Sequence, residues 1–313
     1  VFRSKKYTSF PTIVEDMQAG NLKATFMLAP LAMVLNRRGT PVKIVHLGHR
    51  DGTTLMVRTD SGITDFAGLK GKRIAIPHRY SNQRILVEKM KERFGFGPND
   101  LTLVDYPPPE MPAALKTGQI DAYIVGEPFP AKAEMDGFGK VLYFTKDIWP
   151  NFISCVLVVR DDLIASDRAL VQELVNGIAR SGKWIDSPGE DLTNGVVCES
   201  DAPPPGTPGR DLLTILRDGF GKTHRMQAAA IASRKDYYNQ DPDLMKFVLS
   251  HPPDRVKYTN LIPAKQDFEE IQRYAEKLGY FSFRPVTPLD PYGFEDYCDP
   301  SFVVTSGVRA EPR

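Results

Sequence analysis

Apolar positions along the first half of the chain follow two alternating rhythms. Near-continuous apolar runs, such as Thr53 to Arg58 and Asn151 to Arg160, read as strands. Between them apolar residues recur three or four apart, as one face of a helix requires. One unit of this alternation occurs twice. Gly20 to Pro30 (GNLKATFMLAP) lies over Gly118 to Pro128 (GQIDAYIVGEP) without a gap, 98 positions apart. Ile13 and Met17 fall on Met111 and Leu115, and Gly39 falls on Gly137. A short apolar run follows each of those last glycines, Val42 to Val45 and Val141 to Phe144. Each copy therefore reads as helix, glycine stop, buried strand and polar turn. In open α/β sheets, ligands sit beyond the C-terminal ends of strands. Two such ends predict a cleft between two similar lobes.

Ile63 to Leu69 predicts a short helix capped by Thr64 or Asp65. The first crossing between lobes is expected between residues 58 and 72. The second lobe then holds the strands Arg73–Pro77, Leu101–Tyr106, Ala122–Gly126 and Val141–Phe144. Alternating strands and helices predict a largely parallel sheet in each lobe. Asn151 to Arg160, too apolar for an edge, carries the chain back. The expected lobes are thus 1–70 with 146–313, and 71–145. Ala169 to Trp184 predicts an amphipathic helix. Residues 187–210 hold five prolines and four glycines and read as an irregular surface loop. Further helices are expected at Asp211–Phe220, His224–Tyr238, Asp243–Ser250 and Lys265–Leu278, the last stopped by Gly279. This helical C-terminal part is expected to pack on the first lobe.

At 313 residues the chain is long enough for two lobes. Forty basic residues against thirty-nine acidic leave a net charge of +1, which gives no bulk argument for nucleic acid or an anionic membrane. No apolar run reaches the length of a membrane span. The sequence opens on Val1 with no signal-peptide pattern. The first repeat starts close to that end, so the chain is expected to be a fragment, with Val1-Phe2-Arg3 the tail of a strand from an earlier β-α unit. Cys155, Cys198 and Cys298 are scattered, without metal-ligand spacing. Unpaired thiols are the default, with a Cys198–Cys298 disulfide as the alternative in an oxidising compartment. Gly221-Lys222-Thr223 ends like a phosphate loop, but Leu216 stands where that loop needs glycine. No cofactor motif, metal site or catalytic residue is expected.

The candidate residues are those of the strand-end turns. Ile76 to Gln83 is a strand, a polar turn and a helix start. Ser81 or Asn82 stands where free N–H groups attract anions, or serves as a plain N-cap. His78 is the one histidine in such a turn. Met27, Ala29 and Pro30 open onto the next helix. Gly52, Thr53 and Thr54 offer backbone and hydroxyl donors. Glu127 is expected to accept hydrogen bonds from a ligand, to clamp the closed lobes or to cap the following helix. Tyr7 or Thr8 reaches the cleft while Ser9 caps the first repeat helix.

Pro107-Pro108-Pro109-Glu110-Met111, Ala114-Leu115, Gly118, Asp121-Ala122 and Gly126-Glu127-Pro128 together resemble a known signature. Leu69 to Pro77 and Met27 to Pro30 belong to the same pattern. The chain is similar to the nitrate/sulfonate/bicarbonate family of solute-binding proteins of ABC importers, over roughly residues 1–160. The resemblance implies an α/β, two-lobe type II periplasmic-binding-protein fold, with a hinge, an interlobe ligand cleft and a helical C-terminal part. It also implies a β-α unit before Val1. In the nitrate branch an aromatic before the first helix and a His near the second-lobe helix start meet the anion. The corresponding turns here offer Tyr7-Thr8 and Ser81-Asn82 instead.

The expected function follows from that likeness. The protein is read as the extracytoplasmic substrate-binding component of an ABC importer, binding a small anionic or polar solute between its lobes and performing no reaction. Its expected partners are that solute and a membrane permease, with no nucleic acid, and its expected state is a monomer. Its expected place is the periplasm, or outside the cytoplasm on a membrane anchor. Two other readings share the two-lobe plan. An enzyme of the pyrimidine-precursor-synthase type resembles a protein with a dense cysteine cluster, which this chain lacks. The effector domain of a transcription regulator needs an upstream helix-turn-helix.

Overall fold

The computed structural model describes residues 3–187, 223–235, 237–282 and 292–302. Its elements are α1 (Phe10–Ala19), β1 (Ala24–Met27), α2 (Ala29–Arg37), β2 (Val42–Asp51), β3 (Thr53–Arg58), β4 (Arg73–Ile76), α3 (Asn82–Arg93), β5 (Thr102–Asp105) and α4 (Met111–Lys116). There follow β6 (Ala122–Gly126), α5 (Phe129–Met135), β7 (Gly139–Phe144), α6 (Thr145–Ile148), β8 (Ile153–Arg160), α7 (Asp161–Ser166) and α8 (Arg168–Asp186). The C-terminal part adds α9 (His224–Ser233), α10 (Pro242–Ser250), β9 (Val256–Lys257), α11 (Lys265–Lys277) and α12 (Phe294–Tyr297). The expected loop beyond Ser187, the expected helix Asp211–Phe220 and Cys198 lie outside the described residues. Cys298 is a buried free thiol.

The two copies of the repeat fold alike. Gly20 and Gly118 end α1 and α4 with φ of 77° and 74°, and Gly39 and Gly137 end α2 and α5 with 87° and 76°. A Cβ is strained in that left-handed region, which is why glycine recurs at one offset. Ile13 and Met17 face the core from α1, as Met111 and Leu115 do from α4.

The first sheet has the order β1-β8-β2-β9, with each pairing antiparallel. The second has the order β5-β4-β6-β3-β7. There β4 pairs parallel with β5 and β6, while β3 pairs antiparallel with β6 and β7. In both sheets the repeat strand and the strand after its helix are held one position apart by a third strand running the other way. That third strand is β8 between β1 and β2, and β3 between β6 and β7. Each of these strands arrives from the other lobe, so the lobes have exchanged a strand.

Three expectations change as a result. The first sheet is antiparallel among the described residues, because β8 fills the slot that a parallel β1–β2 pair would close. The first crossing falls at Gly52 rather than between 58 and 72, since Thr53 to Arg58 pairs only in the second sheet. The C-terminal helices are also divided. Helices α9 and α10 pack on Ala131 of α5 in the second lobe, whereas α11 and α12 join the first-lobe core through Phe268, Ile271, Phe294 and Tyr297.

The crossings meet at one place. Asp51 N–H donates to Phe152 O at 2.8 Å and Gly52 N–H to Arg255 O at 2.8 Å. Strand β9 pairs there with Arg50 and Asp51. Gly52 has φ of 67°, and a Cβ on it would lie 2.8 Å from Val256 Cγ2, so both backbone and space demand glycine.

The charges buried at the junction are paired. Arg255 is 1% exposed; its Nε donates to Glu127 Oε1 at 2.6 Å and its Nη2 to Glu134 Oε2 at 3.1 Å. Its Nη1 donates to His251 O at 2.6 Å. On the other flank, Arg50 Nη2 meets Asp267 Oδ2 at 2.8 Å, and Arg50 Nε donates to Asn260 O at 2.7 Å. Desolvating a guanidinium costs several kcal/mol, so such groups persist only when fully partnered.

Two measurements check this. Arg255→Met leaves Glu127 uncompensated and should cost about 3–5 kcal/mol in urea denaturation, with the double variant Arg255→Met, Glu127→Gln recovering most of it. A double variant no more stable than Arg255→Met alone contradicts the pairing. The second concerns His46 and His49 of β2. Burial pushes both below the ordinary imidazole value, His49 to about 4. The unfolded chain binds these protons near pH 6.5 and the folded chain does not. Stability is therefore full above about pH 7 and falls as the pH drops toward 4, by on the order of 3 kcal/mol for His49. Urea midpoints across that range should show the loss, and His49→Asn should flatten the slope.

Candidate functional site

The ends of four elements converge beside the crossings: the starts of α3, β3 and β8, and the end of β6. Ser81, Thr53, Asn82, Gln83 and Ser154 are all 4% exposed or less. Asn82 Nδ2–H donates to Ile153 O at 2.5 Å, joining the second-lobe helix to the first-lobe strand. Gln83 Nε2–H reaches Thr53 Oγ1 at 3.4 Å, and Thr53 Oγ1 shares a hydrogen bond with Ser154 Oγ at 3.1 Å. Gly126 closes the group, since a Cβ there would stand 3.7 Å from Gly52 O and from Ser154 Oγ. Asn82 Oδ1 and Gln83 Oε1 have no protein partner. The result is a buried polar floor shared by both lobes.

The floor joins Gly52, Thr53 and Asn82 of the expected residues. Ser81 stands at its edge as a plain N-cap, its Oγ accepting from Arg84 N–H at 3.0 Å. Gln83 and Ser154 are additions. Ser154 could have been read as the polar break in the apolar run Ile153 to Val159. Gln83 could have been read from its place one residue inside the capped helix.

The remaining candidates lie elsewhere. Thr54 Oγ1 donates to Glu127 Oε1 at 3.2 Å, while Glu127 Oε2 accepts from Ala131 N–H at 3.0 Å. With Arg255 also on Oε1, Glu127 caps α5 and ties the crossings rather than facing a ligand. Met27, Ala29 and Pro30 are buried. Met27 and Ala29 share a core with Ile85 of α3 and Ile153 of β8, so this turn packs against the second-lobe helix through apolar contact.

Tyr7 donates its hydroxyl to Asp16 Oδ2, and Thr8 is exposed. Neither is brought to the floor. Phe10, at the start of α1, spans the lobes by meeting His78 edge-on at 6.5 Å between ring centres, as Tyr80 does by meeting Tyr280 at 5.0 Å. His78 Nδ1 accepts from Tyr80 N–H at 3.0 Å, which leaves the ring proton on Nε2. Burial holds its pKa below the ordinary 6.5, so the ring is neutral at pH 7. His78 thus offers a neutral N–H beside the interlobe seam.

Known proteins resemble this chain in sequence and in fold. The nitrate import ATP-binding protein of Synechocystis is 26% identical over 199 residues, covering 58% of this chain and 30% of that protein. The taurine-binding periplasmic protein of Escherichia coli is 27% identical over 199 residues, covering 59% of this chain and 60% of that protein. The chain thus spans about a third to three-fifths of the length of these relatives. A ligand-binding component of an ABC-type import system from Staphylococcus aureus superposes with a TM-score of 0.70 at 23% identity, over 95% of this chain and 85% of that one. That likeness establishes the two-lobe binding-protein fold. The family described as NMT1-like matches residues 3–194, more than half of the sequence. The chain is a member of the NMT1-like family.

Proposed function

We propose that this protein is the extracytoplasmic solute-binding component of an ABC importer. It holds a small anionic or polar solute between its lobes and releases it unchanged to a membrane permease. The observation that carries this reading is the polar floor. Side chains from both lobes meet there, with hydrogen-bonding capacity left over in a place sealed from bulk water. A buried polar atom without a partner costs about 1–3 kcal/mol, and a solute that supplies the partner recovers that cost in the closed form alone. Such a solute shifts the population toward closure. The taurine-binding relative supports a periplasmic binding role, and the Staphylococcus neighbour supports service to an import system. Among the described residues no helix is long and apolar enough to cross a membrane.

A thermal-shift screen against nitrate, bicarbonate, taurine and short alkanesulfonates checks the proposal. One class should raise the melting temperature, since a ligand at a hundred times its Kd adds about 2.7 kcal/mol. NMR of the supernatant should recover that solute chemically unchanged. A flat screen, or a solute converted to a product, overturns the reading.

A further inference from the structure

We infer that Tyr80 is a latch between the lobes: it belongs to the second lobe, engages a clasp of an arginine and a ring on the first, and so weights the balance toward closed molecules. Its value for solute capture rests on the proposed binding role; the latch itself does not.

The clasp is reciprocal. Tyr80 stands in the turn between β4 and α3 of the second lobe. Its ring meets that of Tyr280, just past α11 of the first lobe, at 5.0 Å between centres and 71° between planes, the edge-to-face arrangement that aromatic pairs favour. Arg38, at the end of α2 in the first lobe, lies over the Tyr80 ring at 5.6 Å and donates from Nη2 to Tyr80 Oη at 3.2 Å. Arg84, of α3 in the second lobe, lies over the Tyr280 ring at 5.6 Å. Each lobe thus lays a guanidinium on the tyrosine of the other, and the two tyrosines meet between them. Arg79 also lies over the Tyr80 ring, at 5.7 Å, but it shares the turn and stays with it when the lobes part. His78 extends the series of rings, 5.5 Å from Tyr80 on one side and 6.5 Å from Phe10 of α1 on the other.

The clasp can also release. None of its four side chains lies on a strand that crosses between the lobes, so they part while the crossings stay intact. Tyr280 is 2% exposed, and its hydroxyl and Arg84 Nε are buried without a hydrogen-bond partner. Closure withdraws both groups from water, a cost set against the ring contacts. The net hold is therefore modest, as a catch that must open requires. An edge-to-face pair with the cation on its outer ring amounts to roughly a tenfold shift in the closed-to-open ratio.

Single-molecule fluorescence transfer reads that ratio on the full chain, with dyes on unnatural residues at Glu173 of α8 and Lys116 of α4, both exposed and on opposite lobes. No solute is needed. Tyr80→Ala should raise the open population roughly tenfold relative to the closed one, while Tyr80→Phe, which keeps the ring, should stay within about threefold of the parent. Arg38→Gln and Arg84→Gln should each shift the ratio by about threefold in the same direction. Circular dichroism and urea denaturation should show every variant folded. Unchanged populations in Tyr80→Ala, or a single population in every variant, overturn the inference. A lowered urea midpoint in Tyr80→Ala without a population shift assigns the ring to ordinary packing and also overturns it. Any solute found by the thermal-shift screen should bind Tyr80→Ala more weakly by the factor in which the closed fraction falls. A flat screen overturns the importer reading and leaves the latch to be judged on the populations.

Discussion

The exchange of one strand between lobes is the constraint from which the rest of this molecule follows. Each repeat brings its own strand, its helix and the strand after it, and leaves a gap one strand wide between the two strands. A gap inside a sheet exposes two rows of backbone N–H and C=O groups, which is costly when buried. Strand β3 fills the gap in the second lobe and β8 fills it in the first. Neither sheet is complete without a segment that starts in the other. The lobes are therefore joined through the middle of each sheet rather than by a linker at the edge.

That topology places polar groups where a protein normally avoids them. Strands that cross from one core to another must run between the two, and the ends of β2, β3, β6 and β8 converge there. Their backbone is partly satisfied by crossing-to-crossing bonds, such as Asp51 N–H to Phe152 O and Glu127 N–H to Gly52 O. Side chains do the rest: Thr145 Oγ1 donates to Thr53 O at 3.0 Å, and Asn82 serves Ile153 O. Charges enter only in pairs. Side-chain oxygens of Asp51, Asn82 and Gln83 are buried there without a hydrogen-bond partner.

Local pattern carried much of this architecture. The glycine spacing identified the duplicated unit, because a left-handed residue after a helix is a local demand that one side chain meets. The start of helix α3 was legible from Ser81. The strand β8 was legible as an interior strand from its apolar content alone. Partners were not legible. Thr53 to Arg58 is as apolar as a strand in either lobe, and nothing within it says which sheet it enters. The same holds for Arg255, an arginine in a short segment after Pro252 and Pro253, whose fixed place depends on Glu127 more than a hundred positions earlier. Glu127 was read as facing a ligand, clamping or capping, and the choice turned on that distant partner. Ser154 and Gln83 escaped for the same reason, since burial of a polar side chain is a property of what packs over it.

The return of the chain through β9 constrains how such a junction can move. β9 hydrogen-bonds to the end of β2, its neighbour Arg255 reaches Glu127 at the tip of β6, and α9 and α10 lie against α5. On the opposite flank, α11 meets α3 through Lys277 and Glu92 at 2.6 Å and through Lys89 and Glu270 at 2.7 Å. The first set is buried and the second is partly exposed. Breaking the buried Arg255–Glu127 pair is far more expensive than breaking exposed lysine–glutamate pairs, which contribute about 0–1 kcal/mol each. A separation of the lobes that shears the crossings is thus opposed strongly, whereas on the α3 side the exposed pairs add little and the opposition comes from buried contacts, the Asn82–Ile153 hydrogen bond and the packing of Ile85 with Met27 and Ala29.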